Sequence, residues 1–248
     1  MNELANKTVL VTGGGSGVGA AIALIFAEAG ARVWISGRSE KRLTEVTARH
    51  ERISGIVADV TDENSVQDMF DASGPCNIVI ANAGASESAP FMKTDIVAWQ
   101  RMISVNLTGV FLTLREGLRQ MPAQDGRLIA IASTAGLRGY AYAAPYAAAK
   151  HGVVGLIRSV ALEVAKTDIT ANAICPGFLD TEMTGRTITN IAKKTGKTQD
   201  QARAALISEN PQQRLIEPDE VAGTALWLCS NAARSVNGQA ISLSGGET

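Results

Sequence analysis

Short apolar runs and longer amphipathic stretches alternate along the chain. The apolar runs predict seven strands, at residues 8–12, 32–36, 53–58, 77–81, 127–132, 169–175 and 239–243. Apolar residues at helical spacing between them predict helices at 18–29, 39–50, 62–71, 94–121, 145–166 and 217–231. Strands that are buried on both faces and alternate with helices are typical of a parallel sheet covered on both sides. Because such crossovers are right-handed, we expect an α/β fold with a doubly wound, parallel, seven-stranded sheet.

The segment 184–210 interrupts this alternation. It is polar, and it is too long for an ordinary connection between a strand and a helix. It follows the strand at 169–175, and long insertions at the carboxyl end of a parallel strand often form lids over a substrate. We therefore expect residues 184–210 to form a substrate lid. No linker or repeat divides the rest of the chain, so the sequence predicts a single domain over residues 1–248.

Composition narrows the classes of function. The 248 residues carry a net charge of −1, which argues against nucleic acid or an anionic membrane surface as the main partner. No apolar run reaches the roughly 18 residues that a membrane span needs, and the first residues do not resemble a secretion signal. The three cysteines are far apart and only two histidines are present, so we expect neither a disulfide scaffold nor a metal site. These features favour a cytoplasmic protein.

A glycine-rich turn separates the first strand from the first helix. Residues 12–19 read Thr-Gly-Gly-Gly-Ser-Gly-Val-Gly. Glycines in such a turn allow positive φ angles and a close approach of the backbone to a ligand, and the helix N-terminus offers free N–H groups to a phosphate. The position between a strand and a helix favours a dinucleotide pyrophosphate site over a flexible turn. We predict cofactor contacts at Gly13, Gly15, Ser16, Gly17, Val18 and Gly19.

The end of the second strand bears on the choice of cofactor. Folds that prefer NAD place an acidic residue about twenty residues after the glycines, where it binds the ribose hydroxyls. Here that position is Gly37, and Arg38 follows it. Because no carboxylate repels a 2′-phosphate and a guanidinium can bind one, the sequence favours NADP(H), with NAD(H) still possible. Asp59 and Val60, after the third strand, are candidates for adenine binding.

Tyr146 and Lys150 lie four residues apart near the start of a predicted helix. Residues at this spacing share one helical face, so the phenol and the ammonium group can converge. A nearby cation lowers the pKa of a tyrosine, which makes the phenol a workable proton donor or acceptor near neutral pH. Such a pair alone is common on helix surfaces. Ser133 strengthens the catalytic interpretation, because it ends the fifth strand at the same edge of the sheet as the glycine turn.

Taken together, these motifs resemble those of the short-chain dehydrogenase/reductase family, in its compact single-domain branch. The matching residues span the whole chain: Thr12, Gly13, Gly17 and Gly19; Asp59; Asn82, Ala83 and Gly84; Asn106; Ser133, Tyr146 and Lys150; and Pro176, Gly177 and Thr181. The resemblance implies a Rossmann fold and an oxidoreductase that interconverts a ketone and a secondary alcohol. It also implies a homotetramer formed through the helices at 98–121 and 145–166.

The resemblance assigns a role to each matching residue. Tyr146 is expected to be the general acid or base, and Ser133 to hydrogen-bond the substrate oxygen. Lys150 is expected to bind the nicotinamide ribose and lower the pKa of Tyr146, while Asn106 holds a water that links Lys150 to solvent. Further cofactor contacts are expected at Asn82, Ala83, Gly84, Tyr146, Lys150, Pro176, Gly177, Leu179 and Thr181.

The substrate is less well defined by the sequence. In this family the loop before the catalytic tyrosine borders the substrate, so we predict a pocket formed by Ser133, Tyr140, Tyr142 and Met183. Among the basic residues of the predicted lid are Arg186, Lys193, Lys194 and Lys197. These form either a solvated helix face or a basic rim that steers a phosphate-bearing substrate. On the second interpretation the substrate is a 3-oxoacyl or 3-hydroxyacyl thioester such as an acyl-CoA.

Other functions remain as alternatives to this one. An NAD-dependent dehydrogenase of a small or cyclic secondary alcohol is the main alternative. A non-catalytic regulator that senses NADP is disfavoured, because such proteins usually lack the tyrosine or the lysine and this chain has both. Epimerases and dehalogenating lyases of the wider family are disfavoured by Gly17, Gly19 and Lys150. An enoyl reductase would have a longer tyrosine-to-lysine spacing.

Overall fold

A computed structural model describes residues 4–248. Within them the chain forms seven parallel strands in the order β3-β2-β1-β4-β5-β6-β7. The strands are β1 Thr8–Thr12, β2 Arg32–Gly37, β3 Ile53–Val57, β4 Ile78–Ala81, β5 Arg127–Ile131, β6 Thr170–Pro176 and β7 Ala240–Leu243. The predicted doubly wound, parallel, seven-stranded sheet is confirmed.

Helices cover both faces of the sheet. They are α1 Gly17–Glu28, α2 Glu40–Thr47, α3 Glu63–Ser73, α4 Ile96–Ile103, α5 Gly109–Gln120, α6 Ala144–Glu163, α7 Glu182–Thr195, α8 Gln199–Ile207 and α9 Pro218–Leu228. On one face Phe26 of α1 packs with Val221 of α9, and on the other Phe70 of α3 lies in the same cluster as Ile157 of α6. Burying each of these side chains contributes about 1.5–3 kcal/mol, so the two layers fix the sheet between them.

The strand order reverses beside β1. This strand pairs with β2 on one side and with β4 on the other. The chain therefore leaves the carboxyl ends of β1 and β4 in opposite directions, which opens a crevice between them. In open α/β sheets this is the point where ligands bind.

The prediction of one continuous helix over residues 94–121 is wrong in detail. The structure divides it into α4, a π-helical turn at Ser104–Thr108, and α5. Periodicity could not show this break, because the apolar spacing is kept while the backbone hydrogen bonds shift by one residue. Within the turn the side-chain amide of Asn106 donates to the carbonyl oxygen of Met102 at 3.0 Å. Single π-helical turns of this kind are frequent at functional sites.

The segment 184–210 folds into two helices. The first of them, α7, starts at Glu182, where the Thr181 side chain accepts a hydrogen bond from the backbone N–H of Thr184. It ends at Gly196, whose φ angle of 71° is one that glycine tolerates best. Thr198 then begins α8 through reciprocal hydrogen bonds with Gln201. The polar composition of the segment is therefore that of exposed helix faces.

Candidate active site

A large cavity of about 820 Å³ opens at the carboxyl edge of the sheet. Its size is typical of a site for a small ligand or cofactor. The predicted site residues that line it are Gly13, Ser16, Gly17, Val18, Gly19, Asn82, Ala83, Gly84, Asn106, Ser133, Tyr140, Tyr142, Tyr146, Lys150, Pro176, Gly177, Leu179, Thr181 and Met183. Motifs that are far apart in the sequence thus meet at one place.

Hydrogen bonds tie the glycine turn to the segment after β4. The buried Thr12 hydroxyl accepts from the backbone N–H groups of Asn82 and Ala83, each at 3.1 Å. In return the Asn82 side-chain amide donates to the carbonyl oxygens of Thr12, at 2.9 Å, and Gly13, at 3.3 Å. The two loops on either side of the crevice therefore hold each other in place, and Asn82 acts on the turn through these bonds.

Two glycines of the turn have no room for a side chain. A Cβ on Gly19 would lie 2.3 Å from the carbonyl oxygen of Gly13 and 2.6 Å from the amide nitrogen of Asn82. Gly13 itself has a φ angle of +68°, and a Cβ there would lie 2.9 Å from the Cα of Ala83. The helix N-terminus of α1 consequently faces the cavity with its backbone uncovered. This cradle fits the pyrophosphate of a dinucleotide.

Ser133 and Tyr146 are placed by two neighbouring elements. Ser133 follows β5, and its hydroxyl accepts from the backbone N–H of Ala135 at 3.1 Å, which caps a short 3₁₀ turn. Tyr146 lies in the first turn of α6, next to Pro145, which favours that position. Burial raises the pKa of Tyr146, and a hydrogen bond with Ser133 works in the opposite direction. The phenol is therefore protonated at neutral pH, as a general acid must be.

Lys150 is buried beneath this pair. Its ammonium nitrogen donates to the carbonyl oxygen of Ile131 at 2.8 Å and lies 5.6 Å from the centre of the Tyr146 ring. Burial lowers the pKa of Lys150 to about 8. The pKa of Tyr146 is raised rather than lowered as expected, because burial of the phenol disfavours its charged form.

Asn106 is fully buried in the π-helical turn beside Lys150. Its side-chain oxygen accepts from the backbone N–H of Ala85 at 3.1 Å. A Cβ on Gly84 would lie 2.9 Å from that oxygen and 3.9 Å from the Lys150 ammonium nitrogen. Glycine at position 84 thus allows the segment after β4 to pass close to both side chains.

Four of the predicted cofactor contacts lie apart from the cavity lining. Gly15, Arg38, Asp59 and Val60 are not among the residues that line it. Burial opposes the charge of Asp59, but hydrogen bonds from Thr61 and the charge of Arg38 together hold the pKa of Asp59 below its usual range. Val60 packs on α5, since a Cβ on Gly109 would lie 2.8 Å from its side chain.

Arg42 lines the cavity and was missed by sequence reasoning. It lies in the first turn of α2, where a Cβ on Gly15 would approach its Cβ to 3.1 Å. Its guanidinium group pairs with Glu182 of α7 at 2.9 Å. Both side chains are about half-exposed, so the pair contributes at most about 1 kcal/mol and leaves Arg42 available to an anion. The only signal in the sequence is a basic residue shortly after β2.

The substrate side of the cavity combines aromatic and small residues. Tyr140 packs edge-on against Phe178, with ring centres 6.1 Å apart, and Met183 lies at the start of α7. Tyr142 is 64% exposed and has a φ angle of 66°. Phe178 was not predicted, because nothing in its local sequence distinguishes it from a core residue.

Within residues 4–248, no three His, Cys, Asp or Glu side chains are grouped so that they could hold a metal ion. In the same part of the chain, every helix is too short or too polar to cross a membrane. The glycine cradle and the polar residues at the far end of the cavity fit a nicotinamide dinucleotide.

Comparison with known proteins agrees with this geometry. The family model described as enoyl-(acyl carrier protein) reductase matches residues 13–248. D-beta-hydroxybutyrate dehydrogenase of Cupriavidus necator is 36% identical over 98% of this chain and 98% of its own length. Cis-4-hydroxycyclohexanecarboxylate dehydrogenase of Sinomonas cyclohexanicum is 36% identical over 98% of this chain and 97% of its own.

A solved structure is similar over nearly the same length. A variant of actinorhodin polyketide ketoreductase, crystallised with NADPH, superposes with a TM-score of 0.91 at 31% identity, covering 97% of each chain. All three are similar to this chain in sequence, and their names describe oxidation of a hydroxyl group or reduction of a ketone. The chain is therefore an oxidoreductase that belongs to the short-chain dehydrogenase/reductase family.

Proposed function

We propose that the protein is an NADP(H)-dependent oxidoreductase that interconverts a ketone and a secondary alcohol. The observation that carries the proposal is the convergence of Ser133, Tyr146 and Lys150 in one cavity with the glycine turn. A panel of ketones scored by NADPH consumption tests it. The panel includes 3-oxoacyl-CoA thioesters, diketones and cyclic ketones, and the protein is inactive on all of them if it is a non-catalytic NADP sensor.

The chain's own residues supply proton transfer and positioning. When bound, the nicotinamide supplies or accepts the hydride at the carbonyl carbon. Tyr146 gives its proton to the carbonyl oxygen during reduction and removes it again during alcohol oxidation. The Ser133 hydroxyl polarises the same oxygen as negative charge develops on it. Lys150, whose pKa of about 8 leaves it mostly charged at neutral pH, stabilises a phenolate on Tyr146 after the proton has left.

Ketone reduction is favoured over enoyl reduction. Only three residues separate Tyr146 from Lys150 along α6, so both face the same part of the cavity. The named activities of the relatives also concern hydroxyl and ketone groups, although the matching family model is described as an enoyl reductase. A matched pair of thioesters, one with a 3-oxo group and one with a 2-enoyl group, distinguishes the two reactions.

The preference for NADP(H) rests on Arg38 and Arg42. Arg38 follows β2 where an acidic residue would favour NAD, and Arg42 lines the cavity next to the glycine turn. Arg38→Asp should raise the KM for NADPH by about tenfold or more, since one charge-assisted hydrogen bond contributes about 1.5–3 kcal/mol. Arg42→Ala should do the same, and the KM for NADH should change little in either variant.

Arg49, in the turn that follows α2, is the control for these arginines. It is exposed, and within residues 4–248 its side chain forms no ion pair, so Arg49→Ala should leave both KM values unchanged. If the unaltered enzyme already uses NADH better than NADPH, the assignment of Arg38 is wrong.

A 3-oxoacyl thioester is the substrate class that we propose first. Two basic residues of α7, Arg186 and Lys194, line the cavity, and Lys194 donates to the carbonyl oxygen of Ser88 at 2.9 Å across its mouth. A basic rim of this kind raises the rate at which a phosphate-bearing substrate associates. The lid formed by residues 184–210 would then close over the acyl chain.

The steering hypothesis predicts a salt-dependent effect. Changing both Lys193 and Lys194 to alanine should lower kcat/KM for acetoacetyl-CoA by about tenfold at low salt and much less at high salt. Lys166→Ala, in the turn that follows α6, is the control and should have no such effect. An uncharged ketone should be reduced at the same rate by all three proteins. If kcat/KM for acetoacetyl-CoA changes neither with the substitutions nor with salt concentration, the steering hypothesis is wrong.

A cyclic secondary alcohol is the second candidate substrate. The name of the Sinomonas relative favours it, because that enzyme acts on a hydroxycyclohexane ring. The edge-on pair Tyr140 and Phe178 offers apolar ring surface against which such a ring could pack. NAD-linked oxidation of cyclic alcohols in the same panel would favour this candidate over the thioester.

We also propose a homotetramer in the cytoplasm. Phe111 of α5 and Leu162 of α6 are 39% and 80% exposed, which suits a contact between subunits through these helices. Size-exclusion chromatography with light scattering measures the assembly directly.

A further inference from the structure

A buried carboxylate at the end of the chain has no part in the mechanism above. Glu247 is the residue before last, yet its side chain is only 3% exposed. It follows β7 and reaches back beneath the cavity, where a Cβ on Gly177 would lie 3.3 Å from one of its oxygens. A buried carboxylate is costly unless charged or hydrogen-bonding partners satisfy it.

The last four residues are folded back onto the rest of the protein. Gly245 has a φ angle of +64°, and a Cβ there would lie 2.0 Å from the side-chain oxygen of Asn210, just beyond α8. The backbone N–H of Thr248 donates to the Ser244 hydroxyl at 3.2 Å. These contacts place Glu247 between the end of the lid and the loop after β6.

Two side chains from the loop after β5 satisfy Glu247. The Tyr140 hydroxyl donates to Oε1 of Glu247, and a guanidinium nitrogen of Arg138 lies 3.5 Å from the same oxygen. Arg138 also pairs with Glu209 at 3.0 Å and covers the Tyr140 ring, with its guanidinium carbon 4.7 Å from the ring centre. The tail is thereby tied to the loop that borders the substrate.

This arrangement fixes how Tyr140 faces the cavity. Its proton is committed to Glu247, so the Thr134 hydroxyl, 2.7 Å away, donates to the phenol oxygen. Burial, with Glu247 adding to it, raises the pKa of Tyr140 well above its usual range, and the phenol stays a neutral donor. Tyr140 therefore offers the substrate its ring, and a line of hydrogen bonds runs from Glu247 to the neighbour of Ser133.

We propose that Glu247 is a positioning residue for the ketone substrate. It acts through Tyr140 and Thr134, and it holds residues 134–143 at a fixed distance from the loop after β6. The inference about ketone binding rests on the proposed function, whereas the inference about the loop does not. Without Glu247 the Tyr140 ring would lose its anchor and Ser133 would be less well placed, while the glycine turn would be untouched.

The test compares three single variants with a control. Glu247→Ala should raise the KM for the ketone about tenfold and leave the KM for NADPH within about twofold, as loss of one charge-assisted hydrogen bond predicts. Tyr140→Phe should have a similar effect, and the double variant should be no worse than either single one. Glu247→Gln keeps a hydrogen-bond acceptor and should restore most of the ketone KM. Glu209→Ala removes only the exposed partner of Arg138 and should behave like the parent.

Hydrogen exchange tests the same proposal without relying on enzyme activity. Amides of residues 134–143 should exchange faster in Glu247→Ala than in the parent, while those of residues 12–19 should not change. If the parent reduces no ketone, the proposed function fails and the exchange result alone decides on Glu247. Unchanged exchange in residues 134–143, or an equal rise in KM for ketone and NADPH, would overturn the proposal.

Discussion

Replacing Tyr146 with phenylalanine should abolish turnover while leaving the cofactor site intact. The substitution removes only the hydroxyl that gives its proton to the carbonyl oxygen, and general acid catalysis contributes about 10²- to 10⁴-fold. Because the glycine turn lies on other elements, the Kd for NADPH, measured by nucleotide fluorescence, should change little. We expect kcat to fall by at least about a thousandfold, with the ring still packed in place.

Tyr142→Phe provides the matched control for this substitution. Tyr142 lines the same cavity, but its side chain is largely exposed and the mechanism gives it no proton to transfer. The variant should keep its kcat within a few-fold of the parent. Retained activity in Tyr146→Phe would remove Tyr146 from its proposed role, whatever the control shows.

Replacing Gly19 with alanine should have the second-largest effect. The new Cβ would lie 2.3 Å from the carbonyl oxygen of Gly13, a distance that no relaxed structure allows. The start of α1 must shift, which opens the turn and breaks the hydrogen bonds between Asn82 and the backbone. Overpacking of this kind costs about 1–3 kcal/mol or more, so we expect weaker NADPH binding and a lower Tm.

Gly223→Ala is the corresponding control in α9. No atom lies within 4 Å of a Cβ built at this position, and the residue is helical. Alanine should therefore stabilise the protein by about 0.4–1 kcal/mol and leave the Kd for NADPH unchanged. If the Gly19→Ala protein binds NADPH as tightly as the parent, the glycine turn does not form the pyrophosphate cradle.

The fold was largely predictable because its signals are local. Each strand is a short apolar run, and the observed bounds differ from the predicted ones by a residue or two, as at β3 and β6. The π-helical turn at Asn106 was not predictable, since it depends on which carbonyl each backbone N–H contacts. The helices α7 and α8 were missed because their polar faces hide the periodicity.

The candidate site also contains some residues that the sequence predicts and others that it does not. Ser133, Tyr146 and Lys150 stand in motifs that can be found from spacing, and the structure brings them to one cavity. Arg42 and Glu247 could not be identified from local motifs, because their contacts are with residues far away in the sequence. Arg42 pairs with Glu182, and Glu247 accepts a hydrogen bond from Tyr140. The direction of the Tyr146 pKa shift could not be predicted from the sequence either, because the burial that raises this pKa comes from the packing of several elements.

Deuterium transfer tests the central claim most directly. NADPH carrying deuterium at the nicotinamide carbon that gives up the hydride is incubated with the protein and with a ketone from the panel that it turns over, such as acetoacetyl-CoA. We predict an alcohol product that carries one deuterium on the former carbonyl carbon, and no such product from the Tyr146→Phe protein. NADPH oxidation that leaves the ketone unreduced, or deuterium found at any other carbon of the product, would contradict the account.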